Sequence, residues 1–295
     1  MNQTQSVAPR VIAEIGCNHG GSLQAAQKMV SVASQFCEVY AIKFQKRDPR
    51  TLLTPEQYAA PHPNPMHSFG ATYGEHREYL EFSVEQHQAL KDFTDTTGAV
   101  YSTSVWDVPS ARQMVALDPE FVKVPSATNT NFDLLGVLCD EYSGQIHVSL
   151  GMTTREEEAS IVDFIKGRGR LANTVFYACT SGYPVAFEDL CLREISRLQE
   201  NYASEVAGIG FSGHHLGIAA DIAAQTLGVT WIERHFTLDR TMKGTDHAAS
   251  LEPDGMRRLV RDTHAVAAAL SFKSDAILPI EKPQREKLKW RATES

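Results

Sequence analysis

The sequence predicts a (β/α)8 barrel, and three observations predict it. Eight short apolar runs recur along 295 residues. Most are continuous rather than alternating, which is the pattern of strands covered on both faces in a parallel sheet. Segments of helical period separate them, and eight such alternations at this length fit one closed barrel. A doubly wound open sheet is the alternative. It wants a glycine fingerprint in the first turn, and "EIGCNHGG" does not spell G-x-G-x-x-G.

The first run is "RVIAEI" (10–15), and the amphipathic "SLQAAQKMVSVASQF" follows it behind a capping serine, Ser22. "VYAIKF" (39–44) is the second strand. Residues 47–80 then break the alternation with a long polar insertion, whose "PHPNP" cannot continue a helix. "SVEQHQALKDFTDTT" resumes the helical period with Ser83 as its cap. "AVYSTS" (99–104) is the third strand, followed by "VPSARQMVAL". "FVKVPS" (121–126) and "QIHVSL" (145–150) come next, and "TREEEASIVDFIKG" takes Thr153 as its cap. "TVFYAC" (174–179), "VAGIGF" (206–211) and "VTWIER" (229–234) complete the eight, with "GIAADIAAQTLG" between the last two. "PDGMRRLVRDTHAVAAAL" closes the alternation. The expected organisation is a barrel over 1–272 and a tail over 273–295 without the periodicity of a separate domain.

Composition narrows the functional classes. With 42% hydrophobic and 22% charged residues the chain can bury a sizeable core, which argues against disorder. A formal net charge of -8 argues against nonspecific nucleic-acid binding, and an anionic substrate would need a local basic site. Five widely spaced cysteines without a CxxC pair fit a reduced, cytoplasmic protein. The polar N-terminus has no secretory h-region, and no apolar run approaches the roughly 18 residues of a membrane span.

Polar residues gather at the C-terminal ends of the runs, where barrels of this type place their active sites. They are Glu14, Lys43 with Gln45, Thr103, Lys123 with Ser126, Ser149, Ser181 with Tyr183, Ser212 with His214, and His235. A single such residue is as well explained by a paired charge inside the barrel. Eight strands in agreement are not. Lys43 and Lys123 sit inside apolar strands, and a buried lysine is costly unless an anion meets it. With the hydroxyls of Thr103, Ser126, Ser149 and Ser212 they form a cradle for a phosphate and a carboxylate. A Lys–Glu pair, for instance with Glu14, is the plainer reading. His214 and His235 end adjacent strands and can converge on one divalent metal, with Mn2+ or Mg2+ more natural than a closed zinc site. His215 and His247 read as hydrogen-bonded or surface residues.

"VIAEIGCNHGG", "AIKFQ", "KVPS", "SLGMTT", "CTSGYPVAFEDLCLREI", "GFSGHHLGIA" and "IERHFTLDRTMKGTDHAASLEP" resemble the motifs of the sialic acid synthase family, in order, from about residue 10 to 272. More distantly they resemble the synthases of 3-deoxy-octulosonate and 3-deoxy-heptulosonate phosphates. The resemblance implies condensation of phosphoenolpyruvate with an open-chain aldose, of the N-acetylmannosamine type, to a 2-keto-3-deoxy sugar acid with release of phosphate. It implies phosphoenolpyruvate contacts from Lys43, Thr103, Lys123, Ser126, Ser149, Ser181, Ser212 and His214. It also implies a metal on His214 and His235, and sugar and proton handling by Glu14, Tyr183 and Asp246. Gln45 joins the substrate contacts.

Three features depart from that pattern. Family members usually read "KVPSGE" or similar after strand four, and here "KVPSATNT" puts Thr128 or Asn129 in place of the glutamate. The usual "SDH" is "SGH", with Gly213 replacing an aspartate. A C-terminal antifreeze-like domain, present in many members, is expected to lie outside this sequence. Two rival functions remain in view. One is an octulosonate-type synthase acting on a pentose or its phosphate, which basic residues such as Arg47, Arg240 or Lys243 at the acceptor end would support. The other is a non-catalytic barrel that binds a sugar acid or phosphorylated ligand. A homodimer is expected, with the 47–80 insertion or the tail helping to close the sugar site. In the charged stretch after strand eight, His235 is expected near Glu14. Gly244 is expected to turn Asp246 back over the strand mouth.

Overall fold

The computed structural model describes residues 7–273 and 276–290. Eight parallel strands form one closed barrel in sequence order. They are β1 (Arg10–Gly16), β2 (Ala41–Lys46), β3 (Val100–Val105), β4 (Phe121–Val124), β5 (Gln145–Ser149), β6 (Thr174–Cys179), β7 (Gly208–Gly213) and β8 (Trp231–His235). Strand β8 closes on β1, with Glu14 directly opposite His235, as the sequence led us to expect.

Strands β2, β7 and β8 begin two residues later than their apolar runs and reach further toward their polar ends. The extra apolar residues Val39, Val206 and Val229 pack in the helix-side core instead. Apolarity reports burial there, not membership of the ladder. Strand β4 stops at Val124 because Pro125 has no N–H to donate, and the chain turns through Ser126–Thr128.

Helix α1 (Leu23–Ser31) follows β1 and carries Ser22 as its N-cap. The 47–80 insertion folds into three short helices, α2 (Pro49–Leu52), α3 (Pro55–Ala59) and α4 (Tyr73–Leu80). Helix α5 (Val84–Asp95) is capped by Ser83 through a reciprocal box with Gln86. Helices α6 (Val108–Val115), α7 (Phe132–Glu141), α8 (Arg155–Gly167), α9 (Arg193–Tyr202), α10 (Ala219–Thr226) and α11 (Pro253–Ala269) complete the outer layer. Thr154, not Thr153, caps α8, through a reciprocal box with Glu157. Thr153 donates instead to the Gly151 carbonyl. In the tail, α12 (Lys282–Leu288) is short and its residues are not buried. No helix among the described residues is long and apolar enough to cross a membrane.

Side chains alternate across each strand, so one set fills the barrel and the other meets the helices. The inward set makes an apolar floor of Ile12, Ala41, Phe121, Val175, Tyr177 and Trp231. The outward set joins the helices in the large core. Arg234 belongs to the outward set. It is fully buried, donates to Asp221 on α10, and also donates to the carbonyls of His215 and Gly217. The pair ties β8 to its neighbouring loop and helix.

This pair is expected to hold stability rather than chemistry. Asp221→Ala leaves the Arg234 cation buried without a carboxylate and should cost about 3–5 kcal/mol in urea unfolding. A loss below about 1 kcal/mol would show that the surrounding carbonyls suffice.

Candidate active site

Above the apolar floor the inward positions turn polar. Glu14 and Lys43 are register partners on β1 and β2 and form an ion pair. Lys43 Nζ also donates to Ser104 Oγ at 2.6 Å. Across the barrel, Lys123 Nζ donates to Glu233 Oε1 at 2.5 Å and to Ser212 Oγ at 3.5 Å, and lies 4.5 Å over the Tyr177 ring. The other oxygen of Glu233 lies 3.8 Å from Lys43 Nζ. Two cations and two carboxylates, each at most 5% exposed, therefore balance one another in the barrel interior. Buried charges persist only when paired in this way.

The two carboxylates are not equivalent. Burial lifts the Glu14 pKa to about 7, with Lys43 opposing and the Glu233 charge adding. Burial also works against Glu233, but Lys123 and Lys43 hold it at about 2. Glu14 is thus the carboxyl able to take or give a proton near neutral pH, and Glu233 is the permanent anion.

Beside Lys123 the hydroxyls of Ser126, Ser149, Ser181 and Ser212 line the same cavity. Ser126 Oγ accepts from the Gly151 N–H at 3.1 Å. A Cβ at Gly151 would stand 2.7 Å from both Ser126 Oγ and Ser181 Oγ, so only glycine lets this cradle form. Gln45 donates to Glu14 Oε1 at 2.9 Å and accepts from Arg47.

His214 and His235 face one another with ring centroids 5.4 Å apart, and Tyr183 packs against both. His214 Nδ1 donates to the Thr180 carbonyl at 3.0 Å, which leaves Nε2 with its lone pair. Backbone hydrogen bonding of this kind orients metal-binding histidines. His235 Nδ1 is buried without a hydrogen-bond partner. Burial lowers the His235 pKa to about 4, so the ring is neutral, as a metal ligand must be. Burial alone would lower His214 too, but the Cys179 thiol and Thr180 carbonyl outweigh it and raise its pKa. Among the described residues no three His, Cys, Asp or Glu side chains form a closed metal cage. The donor set fits an open two-histidine site that takes its other ligands from oxygen.

The loop after β8 folds back over the barrel mouth. Leu251 N–H donates to the His235 carbonyl, and Asn18 donates to the Phe236 carbonyl and Ser250 Oγ, both at 2.9 Å. His247 and Thr237 share a 2.7 Å hydrogen bond, and Gly244 N–H donates to His67 on the insertion. Gly244 has φ +150°, and Asp246 lines the cavity. Asp246 begins the short 3-10 turn that follows, but its side chain caps nothing there. Burial would raise its pKa. His235, the Thr245 hydroxyl, Arg77 and Arg47 reverse that and hold it below its ordinary value.

Most of the expected site residues line one cavity: Glu14, Lys43, Gln45, Lys123, Ser126, Ser149, Ser181, Tyr183, Ser212, His214, His235 and Asp246. Thr103 does not. It pairs in register with Phe44 on the outward face, and its hydroxyl donates weakly to the Ser104 carbonyl at 3.3 Å. The inward hydroxyl is Ser104, one residue on. Arg240 and Lys243 also lie elsewhere: Arg240 holds the Ala248 carbonyl and Lys243 covers the Phe69 ring. At the two departures from the motif pattern no carboxylate returns. Asn129 ties the β4 turn to the Ser149 carbonyl and Thr153, and Gly213 faces outward, where a Cβ would meet Phe211 at 2.8 Å. Sequence reasoning missed Glu233, Ser104, Cys179, Arg77 and Trp106 as cavity residues. One of them, Glu233, was findable by parity, since it lies two before His235, whereas Ser104 is placed by its register opposite Gln45.

A closed parallel barrel with its polar side chains gathered at the C-terminal strand ends, around buried lysines and an open histidine pair, defines a barrel enzyme for anionic substrates. The chain belongs to the NeuB family, whose model matches residues 29–275. It is 36% identical over 278 residues to N-acetylneuraminate-9-phosphate synthase from Homo sapiens, covering 94% of this chain and 76% of that protein. It is 31% identical over 288 residues to N,N'-diacetyllegionaminic acid synthase from Legionella pneumophila, covering 95% and 80%. Its fold matches the crystal structure of N-acetylneuraminic acid synthetase from Leptospira borgpetersenii in complex with citrate. That match has a TM-score of 0.80 at 26% identity and covers 97% of this chain and 94% of the other.

Asp246 separates the chemical reading of this loop from the structural one. Its carboxylate accepts one hydrogen bond, from Thr245, so Asp246→Asn should leave the thermal midpoint nearly unchanged. Turnover should fall about 10²–10⁴-fold if it handles sugar hydroxyls or a proton. Wild-type turnover in the folded variant would make the loop structural.

Proposed function

We propose that this protein condenses phosphoenolpyruvate with an open-chain 2-acetamido hexose to form a nonulosonic, sialic-type acid and inorganic phosphate. The observation that carries this reading is the ring of two buried lysines, counter-charged by Glu14 and Glu233, opening onto the same cavity as His214, His235 and Asp246. The named products of the relatives, N-acetylneuraminate 9-phosphate and N,N'-diacetyllegionaminic acid, are nonulosonic acids or their phosphates and support it.

Lys43 and Lys123, with the Ser126, Ser149, Ser181 and Ser212 hydroxyls, hold the carboxylate and phosphate of phosphoenolpyruvate by charge-assisted hydrogen bonds. They keep its C3 fixed against the sugar aldehyde while positive character grows at C2. His214 and His235 are the residues that would hold a divalent ion, Mn2+ or Mg2+. When bound, the ion supplies Lewis-acid polarisation of the aldehyde. C3 attacks the aldehyde carbon, water adds at C2, and the tetrahedral centre expels phosphate. Glu14, able to exchange a proton near pH 7, is placed to take the proton of that water. Asp246 and Tyr183 orient the sugar hydroxyls. The barrel over 1–272 is the catalytic unit. The exposed Ile280, Leu288 and Trp290 of the tail support a homodimer in which they are covered. The unpaired cysteines support a reduced, cytoplasmic setting.

The test offers purified protein phosphoenolpyruvate, Mn2+ and a panel of aldoses, and follows phosphate release. Release with 2-acetamido hexoses, abolished by chelator and restored by divalent metal, is expected. Full activity of His235→Ala in chelator would remove the metal from the scheme.

Lys43→Met and Lys123→Met are each expected to weaken phosphoenolpyruvate binding by roughly 2–5 kcal/mol in calorimetry. Unchanged affinity in both would place the anion elsewhere.

A further inference from the structure

The barrel floor beneath Lys123 is built of side chains that the condensation does not touch. Tyr177 on β6 is fully buried, and Lys123 Nζ stands 4.5 Å from the centroid of its ring. The other partners of this ammonium are oxygens, Glu233 Oε1 at 2.5 Å and Ser212 Oγ at 3.5 Å. Lys43 is met by oxygens instead, from Glu14, Ser104 and Glu233. The two lysines of the cavity therefore rest on different chemistry.

The Tyr177 ring is fixed from below. Its hydroxyl donates to His147 Nδ1 at 2.9 Å, and His147 Nε2 donates to Gln145 Oε1 at 2.8 Å. A carboxamide oxygen can only accept, so Nε2 carries the hydrogen and Nδ1 the lone pair. Burial pushes the His147 pKa well below its ordinary value, so the imidazole adds no second cation under Lys123. Phe121 stacks on His147 at 4.2 Å, and Trp231 stands across it at 4.7 Å. Gly210, the register partner of Tyr177 on β7, opens the space for the ring: a Cβ there would stand 2.5 Å from it. Packing of this density leaves the ring one position.

We infer that Tyr177 is a positioning residue of the anion site, its ring face holding the Lys123 ammonium charged and aimed into the cavity. An ammonium has three N–H donors, and Glu233 and Ser212 accept two of them. A third oxygen beneath it would take the last. The ring meets the charge through its quadrupole, most strongly where water is excluded, and leaves that donor for the substrate. The inference rests on the condensing reading above and deepens it, because it assigns a residue that sets phosphoenolpyruvate affinity without touching phosphoenolpyruvate.

The test replaces Tyr177 by phenylalanine, then by phenylalanines with one, two and five ring fluorines. Shape stays nearly constant while fluorine drains the negative face. Phosphoenolpyruvate affinity by calorimetry should fall stepwise, by about tenfold across the series. KM for the aldose and the thermal midpoint should stay level across it. Tyr177→Phe itself should lower the midpoint, because His147 Nδ1 loses its donor, yet keep phosphoenolpyruvate affinity. Tyr177→Leu, which removes the face outright, should lose at least as much affinity as the last of the series. If the phenylalanines do not fold, mono- and difluorotyrosine at 177 keep the hydroxyl and should show the same trend. A flat series, or equal losses for both substrates, would make the ring a packing residue and overturn the inference while the condensation stands. Lys123→Met tells the two readings apart. Phosphoenolpyruvate that binds it as tightly as the wild type, or binds neither, removes the anion site from Lys123 and the inference with it.

Discussion

Everything at the mouth of this barrel depends on keeping two lysines charged inside it. Lys43 and Lys123 are 2% and 3% exposed, and an unpaired charge is costly to bury so deeply. Glu14 and Glu233 supply the counter-charge, one from each of the two strands that close the barrel. Glu233 touches both lysines' surroundings, so the four groups form one network rather than two separate pairs. Such a network stabilises weakly, because desolvation offsets most of the Coulombic gain. Its worth lies in preorganisation: an arriving anion meets fixed cations whose desolvation has already been met by folding.

The network also divides labour. The same burial that lifts Glu14 toward neutral pH leaves Glu233 ionised, because two lysines act on Glu233 whereas Glu14 has Lys43 and the opposing charge of Glu233. A proton-exchanging carboxyl and a permanent anion therefore line the same cavity as the histidine pair. Two chemically identical side chains acquire different tasks from their neighbours alone.

The insertion after β2 is the second determinant. A barrel of minimal loops would leave the cavity open above His235. Here α4 delivers Arg77, the start of the insertion delivers Arg47, and His67 holds the β8 loop through Gly244. The polar stretch that interrupts the strand and helix rhythm thus supplies two cationic side chains to the cavity wall. Its sequence carried no periodicity to say so, and only its length and prolines marked it as an excursion.

The sequence by itself determined the barrel, since apolar runs of strand length alternating with amphipathic segments bury their surface in few other ways. It also determined most of the cavity, since inward side chains at strand ends are set by parity with Glu14, Lys43, Lys123, Ser212 and His235. Where phase was judged from composition instead of parity, it failed: Thr103 and Ser104 are both small hydroxyl residues, and only the register Gln45 to Ser104 shows which faces in. Arg234, locked to Asp221 outside the barrel, and Glu233, aimed into it, differ by strand alternation alone, which counting back from His235 shows. Tertiary structure alone decided that Glu233 meets Lys123, and that Arg77 lines the cavity with its hydrogen bonds on Tyr73. The first is a contact between residues far apart in the chain, and no local pattern encodes a distance across a closed barrel.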